Sequence, residues 1–170
     1  PFVGMDDART AIWSYGHRNP QGMIYHPELD AIWIHEHGPQ GGDEINQSEK
    51  GKNFGWPIIS YGINYSGSSL TKITEKDGME QPLCYWLPSI APSGMVYVHE
   101  SNYPELEGSL FAGSLKFQYL ERLVLEDNKV TYRERWFSGI GRVREVVQAP
   151  DGYIYLSVEN KGIYKMIPKA

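Results

Sequence analysis

The chain has 170 residues and a net charge of −5, from 16 lysines and arginines against 21 aspartates and glutamates. That balance argues against nucleic acid as a generic partner, which requires a basic domain or stripe. No apolar run approaches the roughly 18 residues that read as a membrane-spanning helix. A single cysteine, Cys84, excludes an internal disulfide framework and a cysteine-based zinc site, and it leaves the compartment open. No leader is visible, and the chain opens on proline, so its N-terminus is expected not to be native. With 18 glycines, 11 prolines, 12 tyrosines and 5 tryptophans, the composition favours strands and turns over helices. The reading is all-β with long functional loops.

In chain order, residues 22–25 and 31–35 read as two strands around the turn His26-Pro27-Glu28-Leu29-Asp30. Residues 94–97 and 109–113 repeat the pattern around a longer connection that holds the only helix candidate, about one turn at 104–108. Residues 146–148 and 153–158 repeat it again around Ala149-Pro150-Asp151-Gly152. Three copies of apolar strand, proline–acid turn and aromatic strand therefore start near 22, 94 and 145. Such a repeat predicts β-propeller blades of four antiparallel strands, each of about 40–50 residues. The first spacing is too long for one plain blade, and its excess falls at 52–83, read as an inserted loop. The competing fold is a β-sandwich with similar hairpins. Three blades do not close a ring of about four to eight. The chain is therefore expected to be part of a longer one, or to pair with another copy or chain.

Several signatures are absent. There is no G-x-G-x-x-G, Walker loop, H-E-x-x-H or G-x-S-x-G. The densest chemistry lies in Ile34-His-Glu-His-Gly-Pro-Gln-Gly-Gly-Asp-Glu-Ile-Asn46. His35 and His37 would share a strand face, but no spacing supplies a third imidazole-type ligand. The Gly38-Pro39 and Gly41-Gly42 pairs let backbone carbonyls face a ligand, and calcium accepts carbonyl as well as carboxylate oxygen, here from Asp43 or Glu44. An ordinary acidic turn is the competing reading. Arg142 and Arg144 would point to one side of a strand, which like-charge repulsion disfavours unless an anion lies between them. Arg18 and Lys116 also stand at strand ends, and the four cations together would make an anion site on an acidic protein. Trp33, Trp56, Tyr65, Trp86 and Trp136 could each stack on a planar ligand; the tryptophans read mainly as core, whereas Tyr65, on a loop, is the better ligand candidate. Asn46-Gln-Ser48 and Asn64-Tyr-Ser66 match the glycosylation sequon, a signal that needs a eukaryotic secretory context.

Taken together, six segments resemble the soluble aldose sugar dehydrogenases of the glucose/sorbosone dehydrogenase family, which depend on pyrroloquinoline quinone (PQQ). They are Tyr15-Gly-His-Arg-Asn-Pro-Gln-Gly22, Glu36-His-Gly-Pro-Gln-Gly-Gly-Asp-Glu-Ile-Asn46, Gly51-Lys-Asn-Phe-Gly-Trp-Pro57, Ser89-Ile-Ala-Pro-Ser-Gly94, Gly113-Ser-Leu-Lys116 and Arg142-Val-Arg144, in family order. The resemblance implies a six-bladed β-propeller, periplasmic or secreted, of which residues 1–170 would be the C-terminal half. It implies that Arg18 and Asn19 contact the cofactor, with Arg18 assisting at the quinone carbonyl. Lys116, Arg142 and Arg144 would hold cofactor carboxylates, while His37 and Tyr65 would be further cofactor contacts. The carbonyls of Gly38 and Pro39 would bind the cofactor's calcium, and Glu44 with the Phe54 carbonyl a second calcium. Family members often carry tyrosine at position 54 and some carry glutamine at position 37. A backbone ligand survives the first change, and the second weakens the assignment of His37. The family's histidine base has no match among His17, His26, His35, His37 and His99, so no catalytic residue is expected in this chain. The implied partners are an aldose sugar, an electron acceptor and the missing N-terminal half or another chain. The competing functions are a non-catalytic propeller fragment that binds carbohydrate or a protein through its loops, and a calcium-binding structural module.

Overall fold

A computed structural model describes residues 1–168. Among the described residues, eleven strands and one short 3₁₀ turn make up the regular structure, in three antiparallel sheets. The chain divides into two compact units, residues 1–20 with 25–89, and residues 21–24 with the chain from 90 onward.

The first sheet has the order β1 (Pro20–His26), β2 (Ala31–Glu36), β3 (Asp43–Ser48) and β4 (Cys84–Trp86). Trp33 and Ile45 are fully buried in it, and Trp86 nearly so. Residues 49–83, between β3 and β4, contain no strand. They are anchored by single bridges, Asn53 to Tyr15 and Ile63 to Gln40. A chain this long without a ladder is held by local devices such as Asn53 Oδ1, which accepts from Gly55 N at 2.9 Å.

The second sheet runs β5 (Pro92–Tyr97), β6 (Leu110–Ser114), β7 (Leu120–Glu126) and β8 (Lys129–Trp136). Its β7–β8 hairpin closes through Asp127 and Asn128, both at positive φ (49° and 60°). That is the backbone a two-residue turn needs to match strand twist, and Asp and Asn tolerate it. The helix candidate is a 3₁₀ turn at Pro104–Leu106. The third sheet holds β9 (Val143–Gln148), β10 (Ile154–Val158) and β11 (Gly162–Lys165) in the order β11-β10-β9.

Each copy of the repeat thus supplies the first two strands of one sheet. The count of four strands per blade holds for the first two sheets, while the third has three among the described residues. Strand number there depends on what lies beside β11, whose residues are all exposed, and no periodicity within the repeat reports that.

Two glycines let the second and third sheets pack closely. A side chain on Gly94 would strike the Glu145–Val146 backbone, and one on Gly113 would lie 2.6 Å from Ser93 Oγ and 2.7 Å from Val143 Cγ1. Ser93 Oγ donates to the Val143 carbonyl at 2.6 Å, which ties β5 to β9. The shared core is apolar, with Phe111, Leu120, Val143, Ile154 and Leu156 among its members.

Candidate cofactor and cation site

The site grows from the turn after β2. His37 to Gly42 reverse the chain in a space that excludes side chains: the ideal Cβ of Gly38 would fall on the Gly41 and Gly42 carbonyls. Gly41 and Gly42 both take positive φ (85° and 70°), which favours glycine at each position. Asp43, fully buried, accepts from the Gly38 amide at 3.1 Å and fixes the turn. Gln40 exchanges backbone hydrogen bonds with Ile63, which brings the 60–63 segment against it.

Beside this turn Glu36 gathers four donors on one buried carboxylate. Its Oε2 accepts from the Arg18 amide and, at 3.1 Å, from the Asn19 amide. Its Oε1 accepts from Asn46 Nδ2 at 3.3 Å and lies 3.2 Å from His17 Nδ1. Arg18 is held further out: its Nη1 donates to the His37 carbonyl at 3.0 Å, and its guanidinium lies 5.3 Å above the Trp56 ring. His37 N donates to the Asn19 carbonyl at 3.0 Å. Residues 17–19 are therefore fastened to the end of β2 through both backbone and side chain. The His17 ring stacks on Phe54 with centroids 4.6 Å apart.

Arg18, Glu36, His37, Gly38, Pro39, Glu44, Phe54 and Trp56 line one cavity of about 20 Å³. A space of roughly 10–15 Å³ holds one water, so this one suits a single water or ion. The residues expected at two calcium positions, Gly38 with Pro39 and Glu44 with Phe54, thus border a common cavity. Tyr65 does not border it and is 76 % exposed on the 61–69 loop. Phe54 and Trp56 are aromatic residues that do border it, and Trp56 reads from the sequence mainly as core.

The electrostatics favour a cation there. Glu36 and Glu44 face each other in register across β2 and β3, and like charges directly opposite destabilise a sheet. Burial first, then the Glu36 charge, pushes Glu44 up to about 7, against a single lowering contact from Asn46. No group of three His, Cys, Asp or Glu side chains among the described residues makes a metal cluster. A cation would therefore draw on carboxylates plus backbone carbonyls, a donor set that suits calcium rather than zinc. The residues present fit calcium on that chemistry.

The raised Glu44 has a pH consequence. Its folded pKa lies above the ordinary 4.5, so the native state holds the extra proton. Its contribution to stability is full below the ordinary value and is lost as pH rises towards about 7. In chelator the loss amounts to about 2–3 kcal/mol, and Glu44→Gln removes it. Urea titrations at about pH 5 and about pH 8 check this: a parent and variant with the same pH slope would contradict the assignment.

The remaining expected cations lie in the second unit. Lys116, exposed just past β6, has its Nζ 5.2 Å above the Phe117 ring. Arg142 and Arg144 flank Val143 at the start of β9, and both reach Glu159, at 2.6 and 2.7 Å. The anion that two neighbouring guanidiniums require is thus a side chain of this protein. Glu36 and Glu159 had no functional role in the sequence reading, and Trp56 read mainly as core. The traces that could have found them are the acid inside His35-Glu36-His37, the Trp56 of a recognised segment, and an acid placed just after the strand that pairs with Arg142-Val143-Arg144.

The Glucose / Sorbosone dehydrogenase family model matches residues 1–165. Aldose sugar dehydrogenase YliI of Escherichia coli (strain K12) is 44 % identical over 174 residues, covering 99 % of this chain and 47 % of the relative. A glucose dehydrogenase crystal structure is 46 % identical with a TM-score of 0.94, over 99 % of this chain and 50 % of that one. The PQQ-bound aldose sugar dehydrogenase of Streptomyces coelicolor is 26 % identical with a TM-score of 0.66, over 89 % of this chain and 41 % of that one. The chain spans about half the length of the relatives it matches. Its fold class is the all-β propeller class of these structures. With its ordered motifs and nearly its whole length matched, the chain belongs to the glucose/sorbosone dehydrogenase family.

Proposed function

We propose that this chain is the C-terminal half of a single β-propeller domain, with 52–83 as an inserted loop, in a PQQ- and calcium-dependent aldose sugar dehydrogenase. The protein would act in the periplasm or outside the cell and pass electrons to a separate acceptor. The observation that carries the reading is the single cavity bordered by Arg18, His37, Gly38, Pro39, Glu44 and Phe54. The family resemblance had selected these residues from distant segments.

The net change is loss of a hydride from the anomeric carbon and a proton from its hydroxyl, which leaves a lactone. When bound, PQQ would supply the hydride acceptor and calcium would supply Lewis-acid chemistry. The chain's own residues bind and orient. Arg18, oriented by the His37 carbonyl and the Trp56 face, offers a positive donor where negative charge develops. Lys116, Arg142 and Arg144 hold carboxylates through charge-assisted hydrogen bonds. Asn19 and His37 are further polar contacts, and Tyr65 is an aromatic contact from its loop. The Gly38 and Pro39 carbonyls hold one calcium, and Glu44 with the Phe54 carbonyl a second. The proton acceptor belongs to the other half. In this chain His17 is held between Ser14 Oγ at 2.8 Å and Glu36, and His26 and His35 are buried.

The test is reconstitution of the full-length protein with PQQ and calcium. Dye-linked oxidation of aldoses to lactones is expected, and it should disappear when either is withheld. Binding of sugar without turnover would instead support the non-catalytic reading. Within this reading, Arg144→Ala weakens PQQ binding by about ten- to a hundredfold, one charge-assisted contact being worth about 1.5–3 kcal/mol. Titration calorimetry on the apoprotein measures it, and unchanged affinity would remove Arg144 from the site.

A further inference from the structure

Glu159 stands one residue past β10. Val158 pairs with Val143 at the end of the β9–β10 ladder, and the Glu159 amide donates to the Arg142 carbonyl at 2.9 Å. The backbone thereby sets Glu159 opposite Arg142, and Arg144 lies two residues further along. The carboxylate divides itself between them, Oε2 at 2.6 Å from Arg142 Nε and Oε1 at 2.7 Å from Arg144 Nη2. Each guanidinium spends one nitrogen on this contact. Each keeps the rest of its five-donor fork, and no other carboxylate among the described residues pairs with either. The Arg144 hydrogen bond holds the Glu159 carboxyl below its ordinary range; burial, the next largest effect, opposes it, and the charges of Arg144 and Arg142 add to the lowering.

Two exposed arginines on one strand face repel each other and sample many rotamers. A shared carboxylate removes both obstacles. It cancels one positive charge, so the group still carries a net positive charge towards an incoming anion. We propose that Glu159 is a positioning residue whose carboxylate holds Arg142 and Arg144 side by side as a preformed double fork for a carboxylate of the cofactor. The inference rests on the cofactor role of the two arginines given above.

The sign of one measurement separates positioning from simple electrostatics. Coulomb's law alone makes Glu159→Gln improve anion binding, because a negative charge leaves the site. Loss of the clamp makes it worse, because two rotamer-rich side chains must then be ordered on binding. In the full-length apoprotein, PQQ affinity measured by calorimetry is expected to fall about five- to tenfold in Glu159→Gln. Glu159→Asp, which keeps the charge on a shorter arm, should recover part of the loss. The melting temperature of the apoprotein should stay within about 3 °C, since exposed ion pairs contribute little to stability. Affinity equal to or above the parent in Glu159→Gln overturns the inference. Arg142→Ala and Arg144→Ala, measured in parallel, identify which idea has failed. If they lose affinity while Glu159→Gln does not, the clamp alone is wrong. If they too keep full affinity, the cofactor role of the arginines is wrong and the clamp falls with it.

Discussion

Replacing Glu36 by alanine is expected to lower the unfolding free energy of the protein by about 3–5 kcal/mol. The carboxylate is only 4 % exposed as part of its residue, and it satisfies the Arg18 and Asn19 amides together with Asn46 Nδ2 and the His17 ring. Alanine leaves these donors beside a cavity of about 20 Å³. The loss is reduced because Glu36 also repels Glu44 across the sheet. Glu44 should therefore titrate lower in the variant while staying above its ordinary range, burial being the larger cause of its shift. Urea unfolding of the full-length protein gives the stability change as a shift in midpoint at constant slope. A loss under about 1 kcal/mol would mean that water replaces the carboxylate at every donor and that Glu36 does not organise residues 17–19.

Arg18→Ala is expected to lower kcat by about 10²- to 10³-fold while PQQ affinity changes by less than about tenfold. On the proposed function the reason is differential: Arg18 would meet negative charge that is present in the transition state and largely absent in the ground state. The geometry adds a second expectation. The guanidinium is held by the His37 carbonyl at 3.0 Å on one side and by the Trp56 ring at 5.3 Å on another. A planar fork satisfies both, and an ammonium group does not. Arg18→Lys should therefore recover little of the rate. Steady-state kinetics with saturating PQQ and calcium separates the effects. A variant with normal kcat and weakened PQQ binding would make Arg18 a binding residue like Arg144.

The legibility of the fold differed from strand to strand for physical reasons. The strands beginning each sheet were readable because alternation and turn residues act over a few positions. β4 has only Cys84–Trp86, too short to carry a period, and its place beside β3 is set by a connection of 49–83 that has no strand of its own. The cavity was half legible. Gly38, Pro39 and Glu44 lie within one motif, whereas Trp56 borders the site because the 53–55 segment packs on residues 15 and 16. Tyr65, expected as a ligand contact from its loop position, is exposed and does not border the cavity.

By itself the sequence determined the all-β class, the three starting hairpins and the family. These rest on local backbone preference and on ordered motifs, neither of which needs a third dimension. Only the tertiary structure decided what the acids do. Glu36 takes three of its donors from residues 17 to 19 positions earlier, and Glu159 meets Arg144 across 15 positions. An acidic side chain looks alike in a sequence whether water solvates it or it holds a site together. The difference is made by which donors the chain folds around it, because a carboxylate is worth little in water and much where burial leaves its partners no alternative.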